Sequence, residues 1–479
     1  MRGFPAIVDD IRSAAPPHQD SVDEPTRQRL AGLTTELLAA RPDGAAELQR
    51  YRSITTRTAA LPEQRVAAAL RGRTVLVTGG CGCIGTALLR QVRRLCPARF
   101  VSADIAQPRR PVPGVEYATV DVRSPGVLDR LFARYRPDIV FHLAAQRDPG
   151  LAERHLGYTV ETNVLGTVQV VRAAERHGAR RFVYASTGKA LRPYSRCVYT
   201  ASKRVGEWLV ADAARRGRMT CTGVRFTHVV DNSILHDRLR RWCDTGEVVR
   251  LHAPDTVFYA QSAIESAQLL LTAALSPADD VFRLYAIRDL GWPVSLLDVA
   301  LGVIADGPRI APIYLAGHEP GYEEAPYPGL YDPALSGDVS PLLNAMEAHQ
   351  VEASACAGID GAAVAAYDAP EVVGRLPELQ RWCRVTADRQ ARRVLGELGW
   401  DLLVAGVRAT PPAVLDRMAR LTEEYRPTMS DEHRRIDDLI RRHADRATDH
   451  SATDHRAADR RSDLVPVVRP LRTPTVAEV

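Results

Sequence analysis

The stretch TVLVTGGCGCIGTALLRQVRRL, residues 74–95, decides the fold. It begins with a short apolar run, continues through a loop that contains Gly79, Gly82 and Gly85, and ends in apolar residues at helical spacing. Glycines between a strand and a helix allow a tight turn and a close approach of the backbone to a ligand, while the helix N-terminus offers free N–H groups. The stretch predicts a loop that binds the pyrophosphate of a dinucleotide; the alternative is an ordinary glycine-rich turn.

Strands and helices continue to alternate after this loop. Such alternation predicts a parallel sheet that is covered by helices on both faces. The predicted strands are residues 74–78, 100–104, 115–121, 138–145, 181–186 and 221–226, followed by shorter strands at 281–286 and 309–314. We therefore predict an α/β fold of Rossmann type, a doubly wound parallel sheet with a small C-terminal α/β substrate lobe and added helices at both ends.

Four regions are predicted along the chain. They are a helical N-terminal extension (1–70), whose first 20 or so residues are polar and predicted to lack regular structure, the dinucleotide domain with its substrate lobe (71–345, the lobe mainly 227–345), a helical C-terminal extension (346–445) and a disordered, charge-rich tail (446–479).

Composition excludes several classes of function. The 479 residues carry a net charge of +5, but acidic and basic residues are mixed, and no basic stripe with interleaved aromatics predicts nucleic-acid binding. The eight cysteines are scattered and form no metal-binding pair of motifs, and the histidines of the tail are irregularly spaced, so no metal is expected. Scattered cysteines and the absence of a signal peptide or an apolar run of membrane-spanning length favour the cytoplasm.

Acidic residues end the second and third predicted strands. Asp104 is placed to accept hydrogen bonds from the hydroxyls of an adenosine ribose, and its charge would repel a 2′-phosphate, which favours NAD over NADP. Arg109 and Arg110 follow closely, so NADP stays possible. Asp121 is placed either to meet the adenine or to cap a turn.

Only two lysines occur in the chain, Lys189 and Lys203, whereas the other 61 basic residues are arginine. Tyr199 and Lys203 are four positions apart on a predicted helix and therefore share a face. An ammonium close to a phenol lowers the pKa of that phenol and can also hold a ribose. With Thr187 at the end of the fifth strand, these residues form a set that can take a proton from an alcohol while hydride leaves for NAD.

The motifs resemble those of extended short-chain dehydrogenases/reductases, the NAD-dependent epimerase/dehydratase family, in its polysaccharide-biosynthesis branch of CapD type. The resemblance covers about residues 71–345. The segments that carry it are RPDIVFHLAAQRDP (136–149), TNVLGTVQVVRAAERHGARRFVYASTGKALRP (162–193), YTASKRVGEWL (199–209) and GVRFTHVV (223–230). It implies a tightly bound NAD(P) that oxidises a sugar carbon and later returns the hydride. It also implies a homodimer formed by helices at about 161–177 and 199–215.

The motifs and the resemblance together predict which individual residues contact the cofactor and the substrate. The predicted cofactor contacts are Gly79, Gly82, Cys83, Ile84, Gly85, Asp104, Asp121, Val122, Ala144, Ala145, Tyr199 and Lys203. Arg147 and Arg225 are predicted to contact substrate; for Arg225 the alternative is a buried ion pair. His142 is predicted to be a packed strand residue, and Asn163 to be an N-cap, a support of the site or both.

The motif after the fifth strand departs from the family pattern. Relatives commonly have Ser-Thr-Asp-Lys, where the Asp and Lys assist loss of water, whereas this chain has Gly188 before Lys189. A glycine cannot protonate a leaving hydroxyl, so epimerisation is favoured over 4,6-dehydration. The segment between Lys189 and Tyr199 is also about two residues longer than in the branch.

The predicted activity is NAD-dependent modification of a nucleotide sugar through transient oxidation of a ring carbon. In this scheme Thr187 positions the hydroxyl, Tyr199 is the acid and base, Lys203 tunes Tyr199, and Lys189 moves the proton beside the ketone. Two alternatives stay open. One is a net NAD-dependent sugar or alcohol dehydrogenase, and the other is a cofactor-binding scaffold without catalysis.

Overall fold

The structure of the protein is a computed structural model that describes residues 2–95, 97–322, 326–331, 334, 337–364 and 369–459. The chain forms two compact units, Met1–Ala409 and Thr410–Val479. In the described part of the chain, no helix combines the length and the apolar character that crossing a membrane requires.

One large sheet forms the centre of the first unit. The strands of the described residues are β1 (Thr74–Thr78), β2 (Arg99–Asp104), β3 (Glu116–Thr119), β4 (Ile139–His142), β5 (Arg181–Thr187), β6 (Thr220–Phe226), β7 (His228–Val229), β8 (Val249–Leu251), β9 (Val257–Phe258), β10 (Ala260–Gln261), β11 (Phe282–Ile287), β12 (Val294–Ser295), β13 (Ile313–Leu315), β14 (Val351–Ala353) and β15 (Ile359–Val364). Nine of these described strands make the sheet, in the order β14-β15-β11-β6-β5-β4-β1-β2-β3. The pairs from β3 to β11 are parallel, which confirms the predicted doubly wound fold.

Helices cover both faces of this sheet and build the rest of the molecule. They are α1 (Phe4–Ala14), α2 (Glu24–Ala40), α3 (Gly44–Ser53), α4 (Glu63–Leu70), α5 (Cys83–Arg94), α6 (Pro125–Tyr135), α7 (Pro149–Arg154), α8 (Leu156–Val160), α9 (Thr167–Arg176), α10 (Val198–Arg215), α11 (Ile234–Thr245), α12 (Ala263–Ala273), α13 (Leu296–Asp306), α14 (Ala345–Ala348), α15 (Pro370–Arg384), α16 (Asp388–Ala409), α17 (Pro412–Leu421) and α18 (Asp431–Asp459). A π-helical turn at Glu161–Gly166 joins α8 to α9, and a 3₁₀ turn at Gly188–Leu191 follows β5.

Three predicted boundaries differ from the structure. Residues near the N-terminus form α1, because Ile7, Val8 and Ile11 bury one apolar face. Strands β14 and β15 lie in a region predicted to be helical, since they extend the sheet by antiparallel pairing with β11. Helix α18 continues to Asp459, beyond the predicted start of the disordered tail; residues 460–479 of that prediction lie outside the described residues.

The N-terminal extension and the substrate lobe share one hydrophobic core. Apolar residues of α1, α2 and α3 pack against the segment from Val230 to Ala316. Helices α3 and α13 approach so closely that a Cβ on Gly302 would overlap the carbonyl oxygen of Gly44. The regions predicted as 1–70 and 227–345 are therefore not independent, because each covers apolar surface of the other.

Helices α15 and α16 pack on the outer side of α8 and α10. The apolar residues in this contact include Leu156, Val160, Val164, Val205 and Leu209 on one side and Leu379, Leu395, Leu398 and Leu402 on the other. The segments 161–177 and 199–215 were predicted to form a homodimer interface. Helices α15 and α16 of the same chain pack on part of these segments, and the homodimer itself stays a prediction.

Candidate active site

The glycine loop lies against the carboxyl end of β4. Gly79 has a φ of +74°, and a Cβ at this position would lie 2.6 Å from the backbone nitrogen of Ala144. A Cβ on Gly85 would lie 2.7 Å from the Cα of Gly80. Gly82 is the N-cap of α5 and has no side chain to satisfy the first N–H groups of that helix. The loop therefore offers backbone N–H donors in a cradle that side chains would fill, as a pyrophosphate requires.

Asp104 lies beside this loop, at the end of β2. Its carboxylate accepts hydrogen bonds from the backbone N–H groups of Cys81 and Ala106, each at 2.9 Å. It thus joins the glycine loop to the segment after β2. That Asp104 also binds a ribose stays a prediction.

The remaining predicted cofactor residues surround the same edge of the sheet. Val122 packs closely on Gly166, because a Cβ added to Gly166 would lie 3.0 Å from Cγ2 of Val122. Asp121 accepts a hydrogen bond from the Arg123 backbone at 2.9 Å and pairs with the Arg123 guanidinium, which lowers the pKa of its carboxyl. These contacts match the turn-capping alternative for Asp121. Burial raises the pKa of the Cys83 thiol to about 11, so this residue is a neutral neighbour of the loop.

Tyr199 and Lys203 lie on the first two turns of α10, and their surroundings differ. Thr187, at the end of β5, is close enough to Tyr199 to lower the pKa of its phenol, and Arg147 acts on the phenol electrostatically in the same direction. Arg147 also acts electrostatically on the thiol of Cys83, at the start of α5. The ammonium of Lys203 is buried, donates a hydrogen bond to the carbonyl oxygen of Ala185 at 2.6 Å and lies 4.2 Å from the centre of the Tyr184 ring.

Burial dominates the ionisation of both groups. It raises the pKa of Tyr199 to about 12, although Thr187 and Arg147 act in the opposite direction. It lowers the pKa of Lys203 to about 7, against the attraction of Glu207. The pKa of Tyr199 was predicted to be lowered, whereas it is raised here because lost hydration outweighs the nearby positive charge. That Lys203 tunes Tyr199 during turnover stays a prediction.

A buried hydrogen-bond chain fixes the elements around this pair. The Asn163 amide nitrogen donates to the Gln146 carbonyl and to the Ser202 hydroxyl, both at 3.0 Å, and its oxygen accepts from the Gln146 N–H at 2.8 Å. Asn163 lies within the π-helical turn, so it supports the site and is not an N-cap. His142 bridges Thr78 and Thr167 at 2.7 and 3.0 Å, and burial lowers its pKa to about 3, as fits a packed neutral residue.

Arg225 lies inside the protein and is not available to substrate. Its side chain is fully buried, and its guanidinium pairs with Glu207 and Glu347 at 2.8 and 2.6 Å. It also donates to the carbonyl oxygens of Leu342 and Ala190 at 2.9 and 3.2 Å. The predicted substrate contact is therefore wrong, and the alternative of a buried ion pair is correct. Sequence alone could not decide this, because Glu347 is 122 positions away.

A side chain at position 188 would enter packed protein. A Cβ here would lie 2.9 Å from Leu342 Cδ2 and 3.4 Å from the carbonyl oxygen of Phe226. A side chain at this position would displace Leu342. That Gly188 disfavours 4,6-dehydration stays a prediction.

Lys189 lies on the substrate-lobe side of the site. Its backbone N–H donates to Thr187 Oγ1 at 3.3 Å, and its ammonium is 5.6 Å from the centre of the Tyr322 ring. Tyr322 in turn packs on His252 at 4.6 Å between ring centres. Sequence analysis missed Tyr322 and His252, since no motif links them to Lys189 before the lobe is folded.

Comparisons with known proteins agree with this geometry. Residues 75–234 match the model of the NAD dependent epimerase/dehydratase family. The probable polysaccharide biosynthesis protein EpsC of Bacillus subtilis (strain 168) is 28% identical over 278 residues, which are 53% of this chain and 45% of that protein. The capsular polysaccharide biosynthesis protein CapD of Staphylococcus aureus is 28% identical over 251 residues, 49% of this chain and 41% of that protein.

A solved structure shows the same fold. Pen from Bacillus thuringiensis superimposes with a TM-score of 0.52 at 19% identity, covering 61% of this chain and 87% of that chain. This chain spans less than half the length of the two curated relatives. The family match at residues 75–234 falls within the region of residues 71–345 for which the sequence motifs indicated the resemblance.

Proposed function

We propose that the protein is an NAD-dependent nucleotide-sugar epimerase, or a closely related sugar-modifying enzyme, that oxidises a ring carbon transiently. The observation that carries the proposal is the meeting of Thr187, at the end of β5, with Tyr199 on α10, the helix whose Lys203 donates a hydrogen bond to Ala185 of the same strand. The names of the curated relatives, polysaccharide biosynthesis proteins, support an activated sugar as substrate. The described cysteines are all free, which supports a cytoplasmic location.

The residues present fit NAD. The cradle of Gly79, Gly82 and Gly85 suits the pyrophosphate, and Asp104 suits a ribose without a 2′-phosphate. When bound, NAD supplies a hydride acceptor that later returns the hydride, and a cationic ring that favours the ionised form of a nearby phenol. Lys203 would hold the second ribose.

The chain's own residues would move the protons. Thr187 orients the sugar hydroxyl, and Tyr199 takes its proton as the carbon becomes a ketone and returns one in the reverse step. Lys189, two residues after Thr187, exchanges the proton on the carbon next to that ketone. Gly188 offers no acid for a leaving hydroxyl, so the ring keeps its oxygen atoms and the product is an isomer.

The test is mass spectrometry of UDP- and dTDP-sugars incubated with the protein in deuterated water. We expect a gain of one mass unit per exchanged carbon position in the sugar, without loss of water and without net NADH. Tyr199→Phe removes the reacting hydroxyl and should abolish this gain, whereas Tyr425→Phe in the second unit should not. Loss of 18 mass units would identify a dehydratase, and stoichiometric NADH a net dehydrogenase. Absence of turnover with bound NAD would favour the scaffold.

A further inference from the structure

The first turn of α10, which carries Tyr199, is capped by a side chain from another helix. Cys197 occupies the N-cap position, and its side chain makes no capping hydrogen bond. Instead, the backbone N–H of Val198 donates to Glu153 Oε1 at 2.8 Å. A carboxylate at a helix N-terminus satisfies a free donor and interacts favourably with the helix dipole. Glu153, on α7, therefore fixes the start of the helix one residue before Tyr199.

Glu153 is itself held by the C-terminal extension. Its second carboxylate oxygen, Oε2, accepts from Arg392 Nη1 of α16 at 2.6 Å. The Glu153 side chain is 11% exposed, whereas that of Arg392 is 45% exposed, so the pair lies at the surface with its carboxylate turned inward. One carboxylate thus links α16 to the first turn of α10, with one oxygen for each partner.

A second contact joins α16 to the segment that precedes Tyr199. The rings of Trp400 and Tyr194 meet edge to face, 5.4 Å apart between centres and at 86°. A Cβ on Gly399 would lie 3.5 Å from the Tyr194 ring, so this ring packs directly on the helix backbone. Tyr194 lies between the turn that carries Lys189 and the start of α10, the segment that is longer than in the family branch.

We propose that Arg392 and Trp400 are positioning residues for catalysis, which act through Glu153 and Tyr194 on the placement of Tyr199. The inference rests on the proposed function. Helix α16 lies outside residues 75–234, so the domain that matches the family does not itself supply these contacts. A displacement of about 1 Å in a reacting group can cost about 10²-fold in rate. The contact of Glu153 with Val198, the residue before Tyr199, therefore matters for turnover.

The first test is amide hydrogen exchange of residues 194–203 in the full chain. Arg392→Met should speed exchange at this segment, because Glu153 then lacks its second partner. The matched control is Arg393→Met, since Arg393 pairs with Glu378 and Glu397 and not with Glu153. Arg392→Lys keeps a positive charge and should restore most of the protection. Equal exchange in the Arg392→Met and Arg393→Met proteins would overturn the proposal.

The second test separates positioning from substrate binding. The substrate is one found by the mass-spectrometric test of the proposed function. On this substrate, Arg392→Met and Trp400→Leu should lower kcat by roughly 10-fold, because Tyr199 is then partly misplaced, with little change in KM. Arg393→Met should leave both constants unchanged. A fall in kcat that is equal in the control, or a change in KM alone, would contradict the proposal. Failure of the proposed function would appear differently, as absent turnover in the unaltered protein, and the exchange measurement would still decide whether α16 orders this turn.

Discussion

Lys203 shows how a buried ionisable residue balances opposing effects. It is 3% exposed, with only one carbonyl oxygen and the face of the Tyr184 ring as its described contacts. Gly206 makes room for this ring, because a Cβ there would overlap the Tyr184 hydroxyl. Burial without a carboxylate in direct contact favours the neutral amine. An arginine would stay charged in the same place, which gives a physical reason for the rare lysine at this position.

The stability of the protein should therefore depend on pH through Lys203. Its pKa is about 7 in the folded protein and about 10.4 when unfolded, so the unfolded chain binds more protons between these values and stability rises with pH across this window. Lys203→Met should be more stable than the unaltered protein below pH 7, by on the order of a few kcal/mol, because about 1.4 kcal/mol corresponds to each unit of pKa shift. This advantage should shrink as pH rises from 7 to 10.

Urea denaturation of both proteins at pH 6, 7.5 and 9 measures this change. Val205→Ala, in the same helix, removes only uncharged atoms and should cost the same free energy of unfolding at each pH. If the difference between Lys203→Met and the unaltered protein does not vary with pH, burial is not what sets the ionisation of this amine.

Helix α10 is an element in which almost every residue is buried. The sheet covers one side, α16 covers another, and charged residues within the helix pair internally. Arg204 and Glu207 lie on the turn after Lys203, and both contact Glu347 or its partner Arg225. The Ser186 hydroxyl also donates to Glu207, at 2.6 Å. The end of β5 and the helix with Tyr199 are thus joined by one buried charged network.

Removal of Arg225 should destabilise the protein strongly. Arg225→Met would leave Glu207 and Glu347 buried without their main positive partner, which typically costs about 3–5 kcal/mol. The control is Arg99→Met, which breaks the solvent-exposed pair with Glu116 and should have little effect on stability. Urea denaturation at neutral pH measures both; similar small losses would show that the network carries little stability.

Sequence patterns predict individual helices and strands better than they predict which of these pack against each other. The apolar runs identified β1, β2, β4, β5 and β6 because strands buried on both faces have a strong local signal, whereas β3, at the edge of the sheet, is only partly buried. Strands β14 and β15 were missed, since their alanine-rich sequence lacks that signal and pairing with β11 decides their structure. Leu395 and Leu398 predicted a helix, but nothing in their spacing showed that α10 was the partner.

The same limit applies to the site. Gly79, Thr187, Tyr199 and Lys203 follow from short motifs, because each lies at a fixed position relative to a strand or a helix. Arg225 was misassigned because its partners are distant in sequence. The contact between Arg392 and Glu153 cannot be read from spacing either, because these residues are 239 positions apart.

At the scale of the whole molecule, the packing of α15 and α16 on α10 predicts the oligomeric state of the protein. We expect the full chain to have the mass of one copy in light scattering over a range of concentrations, because α15 and α16 pack on α8 and α10, where the resemblance implied a dimer interface. Leu398→Asp should disturb this contact and lead to larger species, since a charge in an apolar contact is strongly unfavourable. Arg420→Asp, at an exposed position of the second unit, is the control. A stable dimer of the unaltered chain would contradict the expectation.

The shared core of the N-terminal helices and the substrate lobe also affects how the chain is made. Gly44 meets Gly302, so the first helices leave the ribosome well before their partner has been synthesised. At about 5–20 residues per second, the nascent chain exposes the apolar faces of α1 to α3 for roughly 10–50 s. Chaperones that bind such segments during translation therefore have time to act. The substrate lobe should close slowly and late, after the first strands of the dinucleotide domain are complete.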